Sequence, residues 1–283
     1  MSLDASTFLL QWAVGGLFFL WVTGRRREVG LGYGWLLRGT YGLMAGLGLW
    51  LGLRYDDGNT VRDLAAAGVI FATAAALAVS VARRSAGVSG QRELAEHRSS
   101  RVAAMTGIDR AESAKDESAP EFPPWLDLVA PLIGVVGLVA AGLDADQPAL
   151  SVARLLVGAL FLGSVSDAML LGHWYLVQPG LPRAPLLELV RWTAVIWVAE
   201  LVVMLWPVGM VSVFTGEIDD GYNGLLGWFW LACAATTIVL VGVTRAALRE
   251  RQYSAVMAAT GLLYLAILTA FGMDLVARAV LAV

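Results

Sequence analysis

Apolar runs of about twenty residues recur along the chain, the length a helix needs to cross a bilayer core of about 30 Å. Five are nearly or fully that long and carry no charge: residues 5–24, 64–82, 128–143, 221–244 and 252–273. Three more are interrupted by charge: 34–53 holds Arg38, 152–177 holds Asp167, and 185–206 holds Glu188, Arg191 and Glu200. Hydrocarbon offers no partner to an unpaired backbone group, so these runs are expected to be helices and not an open sheet. The fold class expected is an all-α, polytopic transmembrane bundle of about eight spans.

The polar positions orient it. Arg25, Arg26 and Arg27 follow the first apolar run, whereas a cleaved signal peptide carries its charge before. With the N-terminus outside, all 20 basic residues except Arg54, Arg62, Arg154 and Arg278 fall at or near the cytoplasmic side. The opposite loops carry Asp56, Asp57, Asp144, Asp146, Glu217, Asp219 and Asp220. That asymmetry is the positive-inside pattern and sets both termini outside. Trp21, Trp35, Trp125 and Trp174 mark inner boundaries, and Trp50 and Trp206 outer ones.

One long polar segment, 83–124, separates three spans (1–82) from five (125–283). Its first part, 91–105, is expected to form a short charged helix with Arg92/Glu96 and Glu93/His97 spaced i,i+4. Its acidic second part, 109–124, reads as a flexible tether. Gly163 and Gly172 follow Gly15 and Gly24 at one common offset, and Leu-Leu-Arg at Arg38 is echoed by Leu-Val-Arg at Arg191. This suggests two halves of four spans, and an even number per half makes the repeat parallel. Gly42/Gly46 and Gly48/Gly52 are small-residue pairs suited to close helix packing.

Composition agrees with a lipid environment. The chain is 58% apolar and 15% charged, against roughly 45–50% and 25% in soluble domains. Its mean hydropathy is +0.69. A net charge of -3 gives no reason to expect a nucleic-acid partner. The bilayer is the expected partner, with a homo-oligomer or a respiratory complex as further options. Lys115 is the only lysine, a bias that points to GC-rich bacterial coding and so to a bacterial inner (plasma) membrane. Cys233 is the only cysteine, which excludes an intrachain disulfide and thiolate metal clusters. Walker A, GxGxxG, HExxH and GxSxG patterns are absent, so neither ATP-driven transport nor a familiar catalytic centre is expected. Eight spans in two groups of four resemble haem A synthase in outline, but that family uses several membrane histidines that this chain lacks. No cofactor is expected.

Charge inside a membrane costs roughly 2.5–3.5 kcal/mol per residue at mid-helix, so such residues need a partner or a wet site. The candidates for a substrate or proton path are Arg38, Asp167, His173, Tyr175, Glu188, Arg191 and Glu200. Asp127 joins them near the inner ends. Asp167 is expected about 15 residues, or roughly 22 Å, into its span, either as a protonatable carboxyl or as the ion partner of Arg38 or Arg191. His173 is either a proton shuttle or an interfacial hydrogen-bonding group. Glu200 sits nearer the outside, paired with Arg154 or lining a path. Asp274 and Arg278 are expected to form an i,i+4 ion pair near the outer surface. The function these features favour is a small-solute or proton-coupled transporter. The alternatives are a quinone-contacting or accessory respiratory subunit, built on His173, Trp174, Tyr175 and Arg191, and a scaffold or assembly protein.

Sidedness is testable by labelling. In a Cys233→Ala background, Asp219→Cys should react with an impermeant thiol reagent in intact cells, and Ser113→Cys only after lysis. The reverse pattern would invert the assignment.

Overall fold

The computed structural model describes residues 4–55, 59–91, 120–178, 181–250 and 252–281. Helix starts follow local chemistry. Asp4 caps the first helix by accepting from the Ser6 and Thr7 amides, and Asn59 caps the third by accepting from the Arg62 amide. Pro148 and Pro185 stand in the first turns of two later helices, where a missing N–H costs nothing. Eight long helices result among the described residues: α1 (Ala5–Gly24), α2 (Leu31–Tyr55), α3 (Thr60–Ala82), α4 (Leu126–Leu143), α5 (Pro148–Val177), α6 (Ala184–Leu205), α7 (Leu225–Ala247) and α8 (Tyr253–Leu281). The expected helix at 91–105 lies outside the described residues beyond Gln91.

The expectation of eight spans is met in part. Six of these helices are long and apolar enough to cross a membrane: α1, α3, α4, α5, α7 and α8. The other two are diluted. Arg38 and a series of glycines lower the hydropathy of α2, and every 18-residue stretch of α6 contains Glu188, Arg191 and Glu200.

The helices pack in two closed circuits. In the first, α1 meets α2, α2 meets α3, α3 meets α4, and α4 returns to α1. In the second, α5 meets α6, α6 meets α7, α7 meets α8, and α8 returns to α5. The circuits join where α5 packs on α1 and α4, and where Trp12 of α1 meets the Phe271 ring of α8 edge-on at 4.3 Å. Both central helices are enclosed: 67% of the apolar stretch of α1 and 72% of that of α5 are buried, against 33% for α3 and α7.

Glycine permits the central contact. A Cβ on Gly15 would overlap the Ala159 carbonyl, and one on Gly163 would overlap the backbone of Gly15. Gln11 meets Gly158 one turn earlier, so α1 and α5 run parallel. The α2 glycines also serve packing within the chain: a Cβ on Gly48 would lie 3.0 Å from the Ser6 carbonyl oxygen, and one on Gly42 would touch Thr73.

The outer faces are apolar. Leu43, Leu53, Phe71, Leu132, Val195, Val239 and Leu268 all stand exposed around the bundle. Apolar surface on this scale on helices of spanning length belongs in lipid. The chain is therefore an all-α polytopic membrane bundle. One end is basic: Arg25 and Arg26 pair with Glu188, and Arg183 donates to the carbonyls of Leu248, Glu250 and Gln252, clamping the α7–α8 turn. The other end is acidic. There the Asp220 carboxylate accepts from the amides of Tyr222, Gly224 and Leu226, each at 2.9 Å, and so organises the start of α7. Burial acts to raise the Asp220 pKa, but these three amides outweigh it and hold it below the usual value.

Gly163→Leu should destabilise the bundle by about 1–3 kcal/mol or more, because backbone cannot yield to the added side chain. Gly46→Ala, with nothing within 4 Å of its Cβ position, should not. Unfolding followed in detergent decides, and equal stability of the two variants would refute the role of the crossing.

Candidate functional site

One turn beyond Gly163 toward the basic end, α5 carries Asp167, wholly enclosed by α1, α2 and neighbouring turns. Its environment follows from a small residue opposite. The Tyr41 ring of α2 lies where a Cβ of Gly16 would be, and the Tyr41 hydroxyl donates to Asp167 Oδ1 at 2.5 Å. The Tyr33 hydroxyl donates to the Asp167 carbonyl oxygen at 3.3 Å. Asp167 Oδ2 is buried with no hydrogen-bond partner among the described residues.

The two arginines considered as ion partners lie elsewhere. Arg38 donates through Nε and Nη2 to both oxygens of Asp127, at 2.8 and 2.7 Å, in a buried bidentate pair joining α2 to α4. The Phe122 ring covers that guanidinium at 4.5 Å, and Glu121 next to it pairs with Arg27 at 2.8 Å. Arg191 is exposed on α6. A recess of about 50 Å³ at the basic end is lined by Arg27, Tyr33, Gly34, Arg38, Phe122 and Asp127.

The remaining expected site residues disperse. His173 is exposed, with Nδ1 3.1 Å from the Tyr264 hydroxyl. Trp174 turns inward against Tyr33 and Gly32. The Tyr175 hydroxyl donates to the Pro182 carbonyl. Glu188 is held by Arg25 and Arg26. The grouping of His173, Trp174, Tyr175 and Arg191 that the sequence suggested is not a common pocket among the described residues.

A second polar cluster lies toward the acidic end. Arg278 Nε and Nη2 donate to both Asp274 oxygens, at 2.8 and 3.0 Å, and Nη2 also donates to the Arg154 carbonyl at 2.9 Å. This is the i,i+4 pair expected near the outer surface, and both of its residues are buried in the core. Arg154 itself donates to the carbonyls of Val203 and Trp206 at the end of α6. Glu200 is fully buried with its carboxyl against that of Asp274, and no other donor among the described residues meets its oxygens.

A cavity of about 190 Å³ opens beside this cluster, lined by Asp4, Thr7, Gln11, Asp144, Ser151 and Arg278 among others. Gln11 is fully buried, and neither its amide nitrogen nor its oxygen has a partner among the described residues. Sequence reasoning missed Gln11 and Tyr41. Gln11 was detectable as the one amide in an apolar run; Tyr41 was not, because its role depends on Gly16 across the interface. No group of three or more His, Cys, Asp or Glu side chains positioned for a metal occurs among the described residues.

Compared with protein-family models, curated proteins and solved structures, the chain matches none of them.

The two buried aspartates should respond differently to neutralisation. Asp127→Asn leaves Arg38 as an uncompensated buried charge and should cost about 3–5 kcal/mol. Asp167→Asn breaks no ion pair, retains an acceptor for Tyr41, and should cost about 1 kcal/mol or less. Thermal unfolding in detergent checks the order, and a larger loss for Asp167→Asn would contradict it.

Proposed function

We propose that this chain is a proton-coupled transporter of a small solute in a bacterial inner membrane, with Asp167 as the proton carrier. The observation behind this reading is the state of that carboxyl: enclosed, without a cationic partner, hydrogen-bonded by a tyrosine on one oxygen and by nothing on the other. Isolated ionisable groups at membrane depth are costly and are retained where they work. Tyr33, whose hydroxyl meets the Asp167 carbonyl, also lines the basic-end recess with Arg38. Glu200 and Asp274 form a second acidic pair toward the opposite side, next to the larger cavity.

In this reading all eight long helices cross the bilayer, with the Arg25–Arg27 end in the cytoplasm and both termini outside. The charges of α2 and α6 do not prevent it. Arg38 and Glu200 are buried inside the bundle, and Glu188 and Arg191 lie in the first two turns of α6, within reach of the interface. The two four-helix circuits form a parallel repeat, and they rock about the Gly15–Gly163 contact to open either side. A scaffold has no use for a cavity beside unpartnered buried groups. A quinone-contacting subunit draws support from the exposed His173–Tyr264 pair, but Trp174 and Tyr175 face other helices and leave that pair without walls.

In vesicles enclosing a pH-sensitive dye, with an acid-outside gradient and a mixture of small polar solutes outside, the protein should speed internal acidification. Asp167→Asn should slow it about tenfold or more. Equal rates for wild type and Asp167→Asn, or rates no higher than in protein-free vesicles, would overturn the proposal.

A further inference from the structure

We propose that the acidic-end cavity between α1, α4, α5 and α8 binds a small zwitterion of the α-amino-acid type. Binding itself does not depend on the transport reading; that the bound solute is carried does.

The floor of the cavity offers an unsatisfied set of polar atoms. Gln11 contributes Nε2 as donor and Oε1 as acceptor, both buried and unpartnered. Arg278 has its Nε and Nη2 occupied by Asp274 and the Arg154 carbonyl, which leaves Nη1 as a buried donor with no partner. Gly158 keeps these groups together. A Cβ there would overlap Arg278 Nη2 and lie 2.5 Å from Gln11 Nε2 and 2.9 Å from Asp274 Oδ1. Two donors match the two oxygens of a carboxylate, and the Gln11 oxygen matches an ammonium N–H.

Charge selects the same class. Asp4 and Asp144 line the cavity with Arg278, setting negative charge against the guanidinium of the floor. Burial acts to raise the pKa of Asp4, but hydrogen bonds from Ser6 and Thr7 and the charge of Arg62 outweigh it, so Asp4 stays ionised. Its oxygens are already taken by those three residues, and it acts through its field. Asp144 is exposed and accepts from Asn59 through Oδ2. A bare anion would meet this acidic lining and an arginine already neutralised by Asp274. A bare cation would leave the Arg278 Nη1 and Gln11 Nε2 donors unmatched. A zwitterion places carboxylate on the floor and ammonium toward the carboxylates. The volume, about 190 Å³, suits a small solute, since a cavity of roughly 150 Å³ already takes benzene.

The test is equilibrium binding to the purified full chain in detergent, read as ligand-induced shifts in melting temperature. L-alanine or glycine should raise the wild-type midpoint and bind about tenfold or more tighter than propionate or ethylamine. Gln11→Leu should melt at or above the wild-type temperature without ligand and lose the shift. Should that variant fail to fold, Ser151→Val narrows the same cavity and should weaken binding, and the wild-type comparison still decides the ligand class. No shift with either amino acid, an undiminished shift in Gln11→Leu, or propionate binding as tightly would overturn the inference. Binding without carriage in vesicles would keep the site and remove the transport reading. Carriage without binding at this cavity would do the reverse.

Discussion

Close approach of α1 and α5 at Gly15 and Gly163 is the constraint on which the remaining architecture rests. In lipid, water drives no helix association, and contact must come from van der Waals packing and interhelical hydrogen bonds. A glycine-on-glycine contact brings two backbones together and lets flanking side chains interlock. Above it, Gln11 faces Gly158; beside it, the Trp12 indole donates to Ser166; below it, Tyr41 fills the space over Gly16 and reaches Asp167.

The buried polar groups divide into two kinds. Arg38 with Asp127, and Arg278 with Asp274, are bidentate pairs that satisfy both carboxylate oxygens and tie helices or turns together. Arg62 likewise holds Asp4 and Asp63 at the acidic end. Asp167, Glu200 and Gln11 are buried, the first and last with atoms that find no partner among the described residues and Glu200 with only the Asp274 carboxyl against it. An unmade hydrogen bond in an apolar interior is expensive, and a bundle selected for stability alone would fill such positions with apolar residues. Of the three, Gln11 lines the acidic-end cavity. The Arg38–Asp127 pair bridges α2 to α4 in the first circuit, and the Asp274–Arg278 pair lies within α8 of the second, next to Glu200 of α6. The first lies at the basic end and the second toward the acidic end, so the two circuits differ in where their interior is polar.

Much of this protein was legible in its sequence, because lipid imposes a simple rule. A backbone in hydrocarbon must be helical, and an apolar run of spanning length reports it. The first run coincides with α1, and the other seven lie within a few residues of α2 to α8 or match their cores. The basic and acidic ends follow from the order of Arg25–Arg27 and Asp144 or Asp220 along the chain, since charge at a helix end needs no tertiary partner. The repeat offset of Gly15 and Gly163 was also visible, although that the two residues touch was not.

Tertiary structure alone decided which charges meet. Arg38, Asp127, Asp167 and Arg191 were all assigned similar depth, and depth does not specify azimuth. Helix rotation sends Arg38 to Asp127, Arg191 to the surface, and Asp167 to a tyrosine. The same holds for Asp274 and Arg278, whose spacing predicted a pair but whose burial depends on α5 and α6 closing over them. Hydropathy is a property of one helix and can be summed along the chain. Partnership and enclosure are properties of several helices at once, and they exist only after packing has set the rotation of each.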